Sequence, residues 1–155
     1  MIAKRSSLDL AEFILINQQY QFTFPPEEEE SGAIMADYIV DIDFSINSLD
    51  NQVFQLYVSI GVNREKLLSG YTIYSEGVGF FDFSKSPKLT IKEKRDFLQF
   101  SGISICINQL RSIIGSLTAH GPFGKYLLPA IDVNDLLAQK MKIFEKENKS
   151  KVKNK

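Results

Sequence analysis

Residues 119 to 137 read AHGPFGKYLLPAIDVNDLL, and this stretch determines how the second half of the chain is built. A helical pattern ends at its start, where Gly121 is a natural stop signal. A new helix can begin at its end, where Asp132 or Asn134 can serve as the cap. Pro129 disfavours helix between these points. The stretch therefore predicts an irregular connector that joins two helices.

The pair Gly124-Lys125 resembles the end of a phosphate-binding loop. Such a loop needs a glycine, four residues and then Gly-Lys-Ser/Thr, and it leads from a strand into a helix. Here Ala119 occupies the first glycine position, Tyr126 follows the lysine, and the entry is helical. The pattern excludes a nucleotide site of this kind.

The segment upstream, residues 92 to 121, has apolar residues at helical spacings of three and four. Ile105, Cys106 and Ile113 widen this stripe to most of the circumference. One four-stranded sheet cannot cover so wide a stripe, so the pattern predicts an oligomer. The residues expected at its interface are Ile103, Ile107, Leu110 and Ile114.

The first half of the chain alternates between apolar and polar residues, which is typical of strands with one buried face. In residues 37 to 46 the predicted buried side is Tyr38, Val40, Ile42, Phe44 and Ile46. In VFQLYVSIGV it is Phe54, Leu56, Val58, Ile60 and Val62. Two further strands are predicted over residues 13–24 and 70–83. Four successive strands with short links favour an antiparallel sheet, and the whole chain reads as an α+β domain.

The predicted second helix is DLLAQKMKIFEKEN, and we expect one domain over residues 1–147 with a disordered lysine-rich tail over 148–155. The run Glu27–Glu30 and this tail are interpreted as solvated segments. The chain has 155 residues and a net charge of -1, which argues against a nucleic-acid groove. No apolar run is long enough to cross a bilayer and no signal peptide is evident, so a soluble, cytoplasmic protein is expected.

Residues suited to catalysis are few. The single thiol, Cys106, lies in an apolar run, and the single histidine, His120, is expected to interact with helix-end carbonyls. Asp37, Asp41 and Asp43 share one predicted strand face and could act as acids or bind a metal, but no histidine accompanies them. We therefore expect no enzyme, cofactor or metal, and a solvated face for the three carboxylates.

The order of four strands, an apolar helix, a glycine turn, a connector and a capped helix resembles the SecB chaperones. The residues that carry this resemblance are Arg111 and Ile114, the turn HGPF at 120–123, and LLPAIDVNDLL at 127–137. The resemblance implies a homotetramer built as a dimer of dimers. It also implies ATP-independent binding of unfolded preproteins in apolar grooves, which keeps them competent for translocation.

The apolar connector must pack on its own sheet, on another subunit or on a ligand. Together with aromatic residues of the fourth strand, it is expected to form the wall of a client-binding groove. The residues assigned to this groove are Tyr74, Phe80, Phe123, Tyr126, Leu128 and Ile131.

SecB proteins commonly dock the translocation motor SecA through carboxylates on the outer sheet face. In this sequence Gln19, Thr23 and Ile73 fall near those positions, and the acidity lies on Asp41, Asp43 and Glu76 instead. Any SecA docking is expected at these three carboxylates. The tail also differs, since it is rich in lysine where the family's is usually acidic.

Three alternatives remain open at the level of sequence. The protein could protect the antitoxin of a toxin–antitoxin pair, as some SecB-like proteins do. It could carry a small hydrophobic ligand in a closed cavity. It could also be an enzyme that uses the Asp37, Asp41 and Asp43 face.

Overall fold

The computed structural model describes residues 1–2, 5–26, 30–66 and 68–153, with side chains described to residue 146. Glu27 to Glu29 of the acidic run and the last two residues of the tail lie outside these ranges. The elements, in chain order, are β1 (Asp9–Thr23), α1 (Ser31–Ala36), β2 (Val40–Ser48), β3 (Val53–Val62), β4 (Gly70–Asp82), α2 (Ile91–Phe97), a π-helical segment (Leu98–Gly102), α3 (Ile103–Thr118) and α4 (Val133–Lys153).

The four strands form one antiparallel sheet in the order β1-β4-β3-β2. This confirms the predicted α+β class and antiparallel sheet. Strand β1 lies at one edge and is the longest, with irregularities between Leu10 and Glu12 and between Leu15 and Asn17. Each irregularity inserts a residue and re-aims the strand, so the alternation along β1 changes phase.

The face of the sheet that the helices cover is called the inner face here. It contains the predicted buried sides of β2 and β3, and all five predicted β3 residues are buried. In register across β4 and β1, the same face carries Ile73 opposite Tyr20 and Tyr71 opposite Phe22. The other side is called the outer face.

A nearly continuous helical segment follows the sheet. Helix α2 begins with a capping box, in which Thr90 Oγ1 accepts from Glu93 N–H and the Glu93 carboxylate accepts from Thr90 N–H at 2.7 Å. The buried Lys94 donates to Asn51 O at 2.6 Å and ties α2 to the β2–β3 hairpin. The π-helical segment then connects α2 to α3.

Helix α3 packs chiefly on β3 and β4. This changes the role of the four residues expected at an oligomer interface: Ile103, Ile107, Leu110 and Ile114 are buried in the core of the single chain. A side chain without accessible surface cannot bury more of it against a second copy. The sheet covers the central stripe of the helix, and the connector with Val133 at the start of α4 covers part of one flank, so the sequence overestimated the uncovered part of its circumference.

Helix α4 is capped as predicted, because Asp132 Oδ1 accepts from Asn134 N–H at 3.0 Å and from Asp135 N–H at 3.1 Å. Its backbone is helical to Lys153, beyond residue 147. Lys140 forms an ion pair with Asp43 on β2 and lies 5.6 Å from the centre of the Phe44 ring. These contacts fix α4 beside the β2 edge.

The short helix α1 was not predicted from the sequence. It ends at Ala36 with Asp37 as its C-cap, and the strand predicted from residue 37 begins at Val40 instead. Asp37 is therefore not a member of the strand face that carries Asp41 and Asp43, and the three-carboxylate set considered for catalysis does not form.

Candidate functional site

Aromatic residues of three elements meet at one end of the inner face. The Phe22 ring of β1 lies 5.3 Å from the Tyr71 ring of β4 and 4.9 Å from the Phe123 ring of the turn after α3. Phe24 lies 5.0 Å from Phe22, and Tyr20 lies 5.7 Å from Tyr71. Three of these contacts are edge-to-face, an arrangement that aromatic rings prefer. These five residues are called the aromatic cluster below.

The cluster is built around a buried base and has an exposed rim. Tyr71 is fully buried, Phe22 and Phe123 are half-buried, and Phe24 is 77% exposed. Tyr20 is 40% exposed. Helix α3 packs mainly on β3 and β4 rather than on β1, so the rim leaves apolar side chains open to solvent. Such a patch is typical of an interaction site.

The turn is held onto the sheet by the hydroxyl of Tyr71. This group accepts from Phe123 N–H at 3.0 Å and donates to Gly124 O at 2.8 Å. Burial raises the pKa of Tyr71, and the hydrogen bond from Phe123 partly opposes that shift. The hydroxyl therefore remains protonated and able to make both bonds.

The connector has no regular secondary structure from Tyr126 to Leu128, and its side chains alternate between the core and solvent. Tyr126 is 5% exposed, Leu127 is 69% exposed and Leu128 is 4% exposed. The N–H of Tyr126 donates to Thr118 Oγ1 at 2.9 Å, and its ring lies 5.7 Å from that of Tyr38. Burial raises the pKa of Tyr126 to about 12.

This alternation corrects part of the predicted groove. Tyr126 and Leu128 belong to the core, where every second side chain of this stretch is buried. Leu127, which was not among the predicted client-binding residues, is the one that faces solvent. Phe123 and Ile131 are half-buried, so part of each remains accessible.

The two aromatic residues of β4 that were assigned to the groove lie elsewhere. Tyr74 pairs in register with Gly61 and Gln19, and Phe80 pairs with Gln55 and Glu12. These positions alternate with the buried Ile73 and Phe81, so they lie on the outer face. The structure separates them from the aromatic cluster by the thickness of the sheet.

The three predicted docking residues do share the outer face. Asp43 and Glu76 both pair in register with Ser59, and Asp41 pairs with Gly61. Asp43 is engaged by Lys140, and Glu76 accepts from the Tyr74 hydroxyl at 3.3 Å. The face is acidic, although part of its charge is neutralised within the chain.

The single cysteine is not activated as a nucleophile in this fold. Cys106 is buried, and this burial raises the pKa of its thiol to about 12, so the nucleophilic thiolate is suppressed. Within the described ranges, no group of three His, Cys, Asp or Glu residues could hold a metal ion. No helix in the same ranges is both long enough and apolar enough to cross a membrane.

Sequence reasoning missed Tyr20, Phe22 and Phe24 as site residues. The signal was present, because the three aromatics alternate along QYQFTF just before Pro25-Pro26. What the sequence could not indicate is that α3 leaves the inner face of β1 open at this end.

Comparison with known proteins supports the architecture. By sequence, the chain matches no family profile and no characterised protein significantly. By structure, it is similar to the Mycobacterium tuberculosis Rv1957 SecB-like chaperone in complex with a ChAD peptide from the Rv1956 HigA1 antitoxin. That match has a TM-score of 0.54 and 16% sequence identity, and covers 81% of this chain and 91% of the other.

A second match is a protein of unknown function from Streptococcus agalactiae. It has a TM-score of 0.36 and 10% identity, and covers 77% of this chain and 98% of the other. This likeness is too low to support an argument. The sheet order, the helices after it and the M. tuberculosis match agree with the resemblance in residues 111–137: the chain has the α+β fold of the SecB-like chaperones.

Proposed function

We propose that this protein is an ATP-independent holdase chaperone that binds non-native polypeptides on the aromatic cluster and the adjoining connector. The observation that carries the proposal is the exposed apolar rim of Tyr20 and Phe24 on a buried base, together with the exposed Leu127 on the connector. A soluble domain gains no folding stability from aromatic surface left in water, so such a rim favours a role in binding.

The energetics suit weak and general binding. Burial of one Phe or Leu side chain contributes roughly 1.5–3 kcal/mol. A client that covers several rim residues could bind in the micromolar range, after the entropy of ordering the client is subtracted. Apolar contacts are non-directional, so clients need not share a sequence. No nucleotide is required, because release can follow from the modest affinity of each contact.

The family resemblance further implies a homotetramer, and exposed apolar surface away from the cluster supports self-association. Ile14, Leu15 and Ile16 of the edge strand β1 and Met141 and Phe144 of α4 are all substantially exposed. An edge strand with apolar side chains is a natural pairing surface. We propose that these residues, rather than the α3 core stripe, form the subunit contacts. Light scattering that shows a stable monomer at micromolar concentration would contradict the tetramer.

The clients are either exported preproteins or an antitoxin. The antitoxin has one specific observation in its favour, since the M. tuberculosis relative in fold carries an antitoxin peptide. A carrier of small ligands is less well supported. The cleft of about 290 Å³ beside Phe97 and Phe100 is lined by only one face of one helical segment, so it cannot enclose a ligand.

Delivery to SecA, if it occurs, would use the acidic outer face. The triple variant Asp41→Asn, Asp43→Asn, Glu76→Gln should weaken SecA binding, and the loss should shrink in high salt. Unchanged affinity in the triple variant would place the contact elsewhere.

The central test is an aggregation assay. A chemically denatured test protein is diluted into buffer with stoichiometric chaperone and no ATP, and light scattering is followed. We expect suppression by the wild type and loss of suppression in the double variant Phe24→Ser, Leu127→Ser. The matched control is Leu49→Ser, because Leu49 is also an exposed leucine, and the strand register places it at the opposite end of the sheet. Equal suppression by both variants would contradict the proposed site, and no suppression by the wild type would contradict the holdase.

A further inference from the structure

A cleft of about 170 Å³ lies between α3 and the connector, away from the aromatic cluster. Ser104, Asn108 and Arg111 form its polar side and follow one another at spacings of four and three along α3. Its apolar side comes from Ile107, Ile131 and Val133. The cleft thus combines one permanent positive charge with apolar walls.

Arg111 has only neutral partners. Its Nη2 donates to the carbonyl of Pro129 at 2.9 Å, and its Nη1 donates to the Asn108 side chain. No carboxylate of the described residues lies within 4.0 Å of it, since the ion pairs found there are Lys85–Asp9 and Lys140–Asp43. Asp132, the acidic residue beside Ile131, is engaged as the cap of α4.

The guanidinium also keeps unused donors. An arginine side chain has five N–H groups, and two of them are accounted for above. The Nε–H is shielded from solvent and has no acceptor among the described residues. A buried donor without an acceptor is uncommon, and it indicates strain, a bound water or a ligand. Here the missing partner would be an anion, because the charge of Arg111 is also unmatched.

We propose that this cleft is a carboxylate-binding subsite in which Arg111 receives the anion and Asn108 holds the guanidinium in place. The ligand is a carboxylate next to a small apolar group, carried either by a chain terminus or by an Asp or Glu side chain. The role of the subsite in client selection rests on the proposed chaperone function, whereas the subsite itself does not.

The chemistry matches this ligand class. The planar fork of a guanidinium can donate two parallel hydrogen bonds to a carboxylate, which a lysine cannot do. Ile107, Ile131 and Val133 exclude water on the other side and so strengthen the attraction. A volume of about 170 Å³ suits a carboxylate with a short side chain but is too small for an aromatic ring with its backbone.

The test uses small probes, so that it does not depend on holdase activity. N-acetyl-valine presents a terminal carboxylate, N-acetyl-glutamate α-amide presents a side-chain carboxylate, and N-acetyl-valinamide is the neutral control. Each is titrated into the 15N-labelled protein, and the Arg111 Nε–H resonance is followed by NMR. We expect at least one carboxylate probe to shift this resonance and saturate in the millimolar range, at least tenfold more tightly than the neutral control. Whichever of the two carboxylate probes binds more tightly shows whether the ligand's carboxylate comes from a chain terminus or from an acidic side chain.

Three variants define the role of Arg111. Arg111→Met should abolish the preference for carboxylates, and Arg111→Lys should reduce the affinity about tenfold because the charge remains and the fork is lost. Arg64→Met is the matched control, since the Arg64 guanidinium stacks 4.6 Å from the Tyr74 ring on the outer face. For the variants, binding is followed through the backbone amides of Asn108 and Ile131, and the amide spectrum verifies folding.

The outcomes separate the subsite from the chaperone. Equal response to all three probes, or a carboxylate preference that survives in a folded Arg111→Met protein, would overturn the subsite. A carboxylate preference in a protein that fails to suppress aggregation would leave the subsite intact and contradict the holdase.

Discussion

The hydroxyl of Tyr71 on β4 accepts the backbone N–H of Phe123 at 3.0 Å, and this bond joins the start of a central strand to the turn after α3. The two residues are 52 positions apart in the chain. The same hydroxyl donates to the carbonyl of Gly124, so one side chain satisfies two backbone groups of the turn. The position of Phe123 over Phe22, and therefore the shape of the aromatic cluster, depends on this anchor.

Replacement of that hydroxyl tests the anchor. Tyr71→Phe keeps the ring but leaves the Phe123 N–H and the Gly124 carbonyl without partners, so we expect a loss of about 1–3 kcal/mol in the free energy of unfolding. Urea denaturation measures it. Tyr57→Phe is the control, because within the described part of the chain that hydroxyl makes one weak hydrogen bond of 3.5 Å to Gln55, and its loss should change the free energy of unfolding by less than about 0.5 kcal/mol. Equal effects would contradict the anchor.

Neighbouring leucines of the connector should respond in opposite ways. Leu128→Ala removes a buried side chain and should lower the unfolding free energy by about 2–5 kcal/mol. Leu127→Ala, at an exposed position, should change it by less than about 0.5 kcal/mol while weakening client capture. Thermal unfolding and the aggregation assay measure the two effects. If Leu128→Ala leaves the melting temperature unchanged, the core assignment is wrong.

Two glycines with positive φ allow a comparison of strain and space. Gly70 has φ +92°, and a Cβ there would lie 1.9 Å from the Tyr38 hydroxyl, which itself accepts from Tyr71 N–H. Gly124 has φ +70° with open space around it. Gly124→Ala should therefore lower the free energy of unfolding by about 1–2 kcal/mol through backbone strain alone. Gly70→Ala should lower it by more, because the added Cβ would also clash with the Tyr38 hydroxyl. Chemical denaturation of both variants gives the difference, and a smaller loss for Gly70→Ala would contradict the close packing.

Alkaline pH should destabilise the protein through its buried acids. Folding raises the pKa of Cys106 from its usual 9.0 to about 12, and that of Tyr126 from 10.0 to about 12. The unfolded chain therefore loses these protons first, and stability falls as pH rises from about 9 to 12. The urea midpoint measured across this range should decline less in Cys106→Ala than in the wild type, and this difference should begin near pH 9. It should also decline less in Tyr126→Phe than in the wild type, with the difference beginning near pH 10. A wild-type urea midpoint that stays constant up to pH 12 would contradict both pKa shifts.

The alternating strands show how much the sequence can predict. The period of two placed Phe54, Leu56 and Val58 on the buried side, because a strand gives each parity to one face regardless of its surroundings. The cap at Asp132 followed from local chemistry as well. Both features depend on residues a few positions apart, which the sequence displays directly.

The site was harder to predict because it depends on contacts between residues that lie far apart in the sequence. Leu127 and Leu128 are chemically identical neighbours, and only the path of the connector over the sheet determines which one is buried. The face of β4 that carries Tyr74 and Phe80 is similarly ambiguous, since both sides of that strand are rich in aromatic or small residues. The uncovered end of β1 results from where α3 crosses the sheet, and no local pattern encodes that crossing.

The π-helical segment at Leu98–Gly102 has a consequence for how this chain can vary in length. A π turn holds one residue more than the α turn it replaces, so it absorbs an insertion without displacing the helix on either side. Loss of one residue from this segment would therefore convert it to a regular α turn, with α2 and α3 in their present orientations and Lys94 still at Asn51. The stripe of α3 against the sheet would stay in place. Natural variants that are one residue shorter in this segment should therefore keep both the α2–hairpin contact and the core beneath α3.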